Sequence, residues 1–159
     1  MLVGRQAALG PHRFGGSPFS KTHVMTAIDC PQNPVVVLVV EDETLLRMSA
    51  VCMVEDAGYV AIEAADAKAA VEVLESRSDV ALLLTDVQMP GPMDGIGLVH
   101  AVQERWPPIK IIVVSGGVKQ VGVDITAACR FFGKPLREEE VVAEMRDLLK
   151  HAYGREPAA

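Results

Sequence analysis

Hydrophobic and polar positions alternate along this chain in two rhythms. Short, largely apolar runs, Val35–Val40, Val80–Thr85 and Ile109–Val114, are separated by longer stretches in which apolar residues recur at helical spacing. Runs of this kind, rich in β-branched residues, read as strands buried on both faces, as in parallel sheets. Between them the pattern predicts a helix near 43–57, with Leu46, Ala50, Met53 and Ala57 on one face and Gly58 as its stop. A short strand follows at 59–63, then Asp66 as the N-cap of an Ala-rich helix reaching about Ser76. A further helix runs from Asp94 to Arg105 and stops before Pro107-Pro108. Residues 118–128 are only weakly helical, with Gly122 and β-branched neighbours. Arg130–Gly133 reads as a fifth strand. Glu138–His151 is an amphipathic last helix with Val141, Val142, Met145, Leu148 and Leu149 inward and three acids at its positive end.

Five such β/α units predict an α/β fold: a doubly wound, five-stranded parallel sheet with right-handed crossovers. The small arrangement of this class has strand order 2-1-3-4-5, and its switch point lies between strands 1 and 3. Both of those strands end in acid, at Glu41-Asp42 and at Asp86. The fourth strand ends at Ser115 and the fifth at Lys134. All four positions fall on the carboxyl edge, where open sheets bind their ligands.

Composition narrows the picture. Of 159 residues, 50% are hydrophobic, enough for one core, and no apolar stretch approaches the ~18 residues of a membrane span. Residues 1–34 hold four Gly and four Pro without a hydrophobic period, and read as a disordered tail or as an extension upstream of a start at Met25. The domain is expected over 35–152, followed by a short tail at 153–159 that is too small for a DNA-binding or enzymatic domain. The formal charge is −6, and the tail is net basic, so the folded part is the acidic part. That argues against direct DNA binding. Cys30, Cys52 and Cys129 are odd in number and widely spaced, which suits a reducing cytoplasm. Cys52 and Cys129 are expected to pack as small buried hydrophobes, and Trp106 and the Met residues likewise.

Asp42 and Asp86 can bind a hard divalent cation such as magnesium, with Glu41 joining directly or through water. Lys134 adds a mobile positive charge and Ser115 a hydroxyl donor. Together they make a cradle for a phosphoryl group, and a carboxylate within it can be the nucleophile.

The motifs Val39-Val40-Glu41-Asp42-Glu43, Asp86-Val87-Gln88-Met89-Pro90, Met93-Asp94-Gly95, Val114-Ser115-Gly116 and Phe132-Gly133-Lys134-Pro135 come in this order on these elements. Val35 to about Ala152 thereby resembles the receiver domain of two-component response regulators, the CheY-like arrangement. The resemblance implies that Asp86 accepts the phosphoryl group and that Glu41, Asp42, Asp86 and the backbone carbonyl of Gln88 hold Mg2+. It further implies that Ser115 follows the phosphoryl group, that Phe131 is the switch aromatic, that Lys134 is the family's lysine, and that the bond to Pro135 is cis. It makes the chain a phosphoacceptor for a histidine kinase or histidine phosphotransfer protein, acting on a downstream protein target, and not an enzyme.

Two departures stand out. Gly91-Pro92 lengthens the loop after Asp86 by about one residue, beyond Gln88. The stretch from Ser115 to Lys134 is short by ~3–4 residues, about one helical turn, so the fourth helix is expected to be short or irregular. In many receivers that helix and its neighbours form the dimer and output face, which leaves open a homodimer through the face between the fourth and fifth helices. A magnesium-dependent phosphatase with an aspartyl intermediate is a rival reading. Such enzymes commonly place a second acid two residues after the nucleophile, where this chain has Gln88. A phosphorylation-independent scaffold of the same fold is the other.

Overall fold

The computed structural model describes residues 34–117 and 129–153. Its elements follow in chain order as β1 (Val36–Val40), α1 (Thr44–Asp56), β2 (Val60–Ala64), α2 (Ala67–Ser76), β3 (Val80–Asp86), α3 (Gly95–Arg105), β4 (Lys110–Ser115), β5 (Cys129–Gly133) and α4 (Glu138–Tyr153). The five strands form one parallel sheet in the order β2-β1-β3-β4-β5, as the alternating pattern predicts. The expected N-terminal tail and the expected irregular fourth helix at 118–128 lie outside the described residues.

The period-2 geometry of the strands divides the core in two. Val36, Leu38 and Val40 of β1, with Leu83, Ile111 and Val113, face Leu74 of α2 and Leu98, Val99 and Val102 of α3. Val37, Val39, Leu82, Leu84, Ile112 and Val114 face Met53 and Val54 of α1 and Val141, Met145 and Leu149 of α4. Helices on both faces explain why β1 and β3 are buried along their whole length while the edge strands β2 and β5 are not. Asp66 caps α2 by accepting the Ala69 N–H at 2.7 Å, and Asp94 caps α3 by accepting the Gly97 N–H at 2.8 Å. Among the described residues no helix is long and apolar enough to cross a membrane.

Helix α1 departs from its predicted face. Met53 and Ala57 are buried and Ala50 half-buried, but Leu46 is 41% exposed, and Leu45 and Met48 are more exposed still. The buried residues of α1 lie in its C-terminal half, where Val54 joins Met53. Cys52, one residue before Met53, falls on the solvent side and is exposed, contrary to expectation; Cys129 is buried as expected. Met48 and Met93 are likewise exposed, whereas Met53, Met89 and Met145 pack.

Strand register sets the heights of the functional residues. A one-residue irregularity near Val36 brings Val40 level with Thr85, so the next residues, Glu41 and Asp86, lie side by side at the carboxyl edge of the sheet. Asp86 pairs with Val114 of β4, and Ser115 pairs with Gly133, one residue before Lys134.

Candidate functional site

Asp86 closes β3, the central strand, and its backbone is held from three directions. The buried Thr85 hydroxyl donates to the Asp86 carbonyl at 2.9 Å. The Val87 N–H donates to the Val114 carbonyl and the Gly95 N–H to the Val87 carbonyl, each at 3.0 Å. Gly95 leaves no room for anything larger, because a Cβ there would lie 1.8 Å from the Asp86 carbonyl oxygen. The first turn of α3 thus rests directly on the peptide that carries the carboxylate.

The Asp86 side chain is buried and fixed at both oxygens. Oδ1 accepts the Gln88 N–H at 3.2 Å, and Oδ2 accepts from the Lys134 ammonium at 2.6 Å. The same ammonium donates to Glu41 Oε2 at 3.2 Å, while Glu41 Oε1 accepts the Glu43 N–H at 3.2 Å. Burial pushes the Glu41 carboxyl above its ordinary range, against the pull of the Glu43 N–H and of Lys134. Burial alone would lower the Lys134 ammonium, but its bonds to Asp86 and then Glu41 outweigh that and hold it above its ordinary value. The ammonium therefore stays charged at neutral pH.

Asp42 completes the acid group from the exposed side of the β1–α1 loop. Glu41, Asp42 and Asp86 each offer a carboxylate oxygen within 4.8 Å of the others. Three hard oxygen donors at one point, with Lys134 offsetting only part of their charge, fit a hard divalent cation. Gln88 lies two residues beyond Asp86 in the loop, and the added residue Gly91, at φ +126°, falls after it.

Ser115 is buried at the end of β4, but its hydroxyl accepts the Gly117 N–H at 3.2 Å. Among the described residues no hydrogen bond joins it to Asp86. Its carbonyl accepts the Lys134 N–H at 2.9 Å, which ties β4 to the residue bearing the ammonium. The Lys134–Pro135 bond is cis, as the resemblance implies. Phe131, on the edge strand β5, is 36% exposed.

A buried carboxylate beside an ammonium and two further acids has the chemistry to receive an electrophile that carries negative oxygens. Comparison with known proteins gives the family. Residues 37–146 match the family model of the response regulator receiver domain. The chain belongs to that family. It is 32% identical over 118 residues to the sensor kinase CckA of Brucella abortus, covering 72% of this chain and 12% of that protein. To the transcriptional regulatory protein PhoP of Escherichia coli K12 it is 33% identical over 122 residues, covering 74% of this chain and 53% of that protein. The receiver therefore spans only part of the curated relatives it matches. Among solved structures, the response regulator protein TrrA of Thermotoga maritima, in complex with Mg2+ and BeF, superposes with a TM-score of 0.66 at 22% identity. That match covers 72% of this chain and 99% of TrrA, and shows the shared fold.

Three contributors were not evident from the motifs alone. Thr85 was hidden inside an apolar run, Gly95 stood in a motif without a stated task, and Arg47 belongs to none of the motifs. Arg47 in fact turns toward the acid loop, donating to the Glu41 carbonyl at 2.8 Å.

Proposed function

We propose that this receiver takes a phosphoryl group onto the Asp86 carboxylate from the phosphohistidine of a histidine kinase or histidine phosphotransfer protein, in the cytoplasm, and signals by protein contacts. An Asp86 oxygen forms the O–P bond as the P–N bond breaks, and the electron pair leaves with the donor imidazole. The observation that carries this reading is the Lys134 ammonium, 2.6 Å from the carboxylate of a buried Asp86 whose backbone is clamped by Thr85 and Gly95.

Glu41, Asp42, Asp86 and the backbone carbonyl of Gln88 are the residues that would hold Mg2+, whose charge offsets that of the phosphoryl oxygens. Lys134, whose ammonium already meets Asp86, would bind a phosphoryl oxygen. Ser115 then exchanges its Gly117 partner for the phosphoryl group, and Phe131 shifts with it between two pre-existing arrangements. The exposed Leu46 borders an apolar cavity of about 310 Å³ that continues to Glu41, Asp86 and Lys134, and this supports approach of a partner across the start of α1.

Incubation with MgCl2 and a small phosphodonor tests the reading. An acid-stable, base-labile adduct is expected on the wild type and absent from Asp86→Asn. No adduct on the wild type, or an equal one on the variant, overturns it, and sustained hydrolysis of phosphate esters would favour a phosphatase instead.

A further inference from the structure

Arg47 lies in the first turn of α1, flanked by exposed Leu46 and Met48, yet its own side chain is only 15% exposed. It folds back over the end of β1. There Nη1 donates to the Glu41 carbonyl at 2.8 Å and, at 3.3 Å, to the Asp42 carbonyl, while Nε donates to Glu63 Oε2 at 3.1 Å. Glu63 belongs to β2, paired with Val39, and the next residue, Ala64, accepts the Glu41 N–H at 3.2 Å. One planar group thus joins an edge strand, a helix start and the two peptides that carry the acid pair.

Asp42 most needs such support. Among the described residues no hydrogen bond reaches its carboxylate, so its direction follows from its backbone. We infer that Arg47, braced by Glu63, is a positioning residue for the acid cluster: by fixing the Glu41 and Asp42 carbonyls it presets their carboxylates toward Asp86 and so raises affinity for a divalent cation. The inference rests on the metal reading of the site given above.

Charge and position oppose each other here, which makes the idea testable. If Arg47 acted only as a nearby positive charge, its removal would tighten cation binding. As a positioning group, its removal weakens binding, on the order of tenfold, the scale seen when a hydrogen bond that orients a metal ligand is lost. Lys at this position keeps the charge but cannot reproduce a fork that bonds a carboxylate and two carbonyls together.

The test is calorimetric titration of the metal-free chain with MgCl2 for wild type, Arg47→Ala, Arg47→Lys, Glu63→Gln and Asp42→Ala, with thermal melts in chelator to check folding. Both Arg47 variants are expected to weaken binding, Arg47→Lys nearly as much as Arg47→Ala, with Glu63→Gln in between. Should Arg47→Ala fail to fold, Arg47→Lys and Glu63→Gln decide alone. Wild-type affinity, or tighter binding, in the Arg47 variants while Asp42→Ala is weakened overturns the positioning role only. A wild type that binds no Mg2+, or an Asp42→Ala that binds equally, overturns the metal reading and this inference with it.

Discussion

Lys134 Nζ lies 2.6 Å from Asp86 and 3.2 Å from Glu41, so a single ammonium spans the carboxyl ends of β5, β3 and β1. Lys134→Met leaves two buried acids facing each other. Removing one partner of a buried pair costs ~3–5 kcal/mol, but Lys134 is 29% exposed and solvent screens the loss. A fall of about 1–2 kcal/mol in metal-free stability is expected. Added Mg2+ replaces the missing charge, so it should raise the melting temperature of the variant more than that of the wild type. Equal shifts in paired thermal melts would contradict this arrangement.

Gly95→Ala drives a methyl group into the Asp86 carbonyl, 1.8 Å from where its Cβ must sit. Neither side yields cheaply, since the Thr85 hydroxyl holds that carbonyl and the Gly95 N–H is bonded to Val87. The expected cost is about 3 kcal/mol, at the upper end for overpacking, with adduct formation on Asp86 slowed as well. Gly91→Ala is the comparison: open space surrounds Gly91, so only its positive φ opposes the change, at about 1 kcal/mol. Urea unfolding of both variants measures the difference.

Glu41 gives the metal-free protein a pH dependence. Burial, the largest influence, raises its folded pKa above 4.5, so the folded chain holds this proton more tightly than the unfolded chain does. Its contribution is fully present below the unfolded value and declines as pH rises through the folded one. Glu41→Gln should remove that slope and be the more stable protein near neutrality in chelator. With Mg2+ the order should reverse, because the wild type keeps the ligand. Unfolding between about pH 4 and 7, with and without metal, would show both signs.

Ser115 spends its hydroxyl on the Gly117 N–H at 3.2 Å. Ser115→Ala should cost no more than about 1 kcal/mol of stability and still allow the Asp86 adduct to form. What it should lose is the response: adduct-dependent NMR shifts at Phe131, strong in the wild type and in Ser115→Thr, are expected to shrink. A variant that responds like the wild type would reduce Ser115 to a cap for Gly117.

The parts most legible in the sequence were those that burial constrains most. Strands β1, β3 and β4 lie under helices on both faces, so their apolar runs and the polar residues that end them mark both the sheet and its reactive edge. Asp66 located the start of α2 because its cap is a local bond, three residues long. The first half of helix α1 departs from its predicted face because spacing reports a face and not what lies opposite it; Leu46 stays exposed. Arg47 and Thr85 were silent for a related reason. Thr85 bonds a peptide carbonyl and Arg47 bonds two beside Glu63; every residue carries such a carbonyl and no side-chain pattern reveals it.

The reach of Lys134 has one more consequence. Its ammonium meets Asp86 from 48 positions further along the chain, through the outermost strand of the sheet. A nascent chain, or one nicked before β5, holds the acid group without its counter-charge. On the proposed phosphoacceptor reading, readiness at Asp86 is thereby a certificate of completed assembly: a half-built molecule would lack the charge that receives the phosphoryl group.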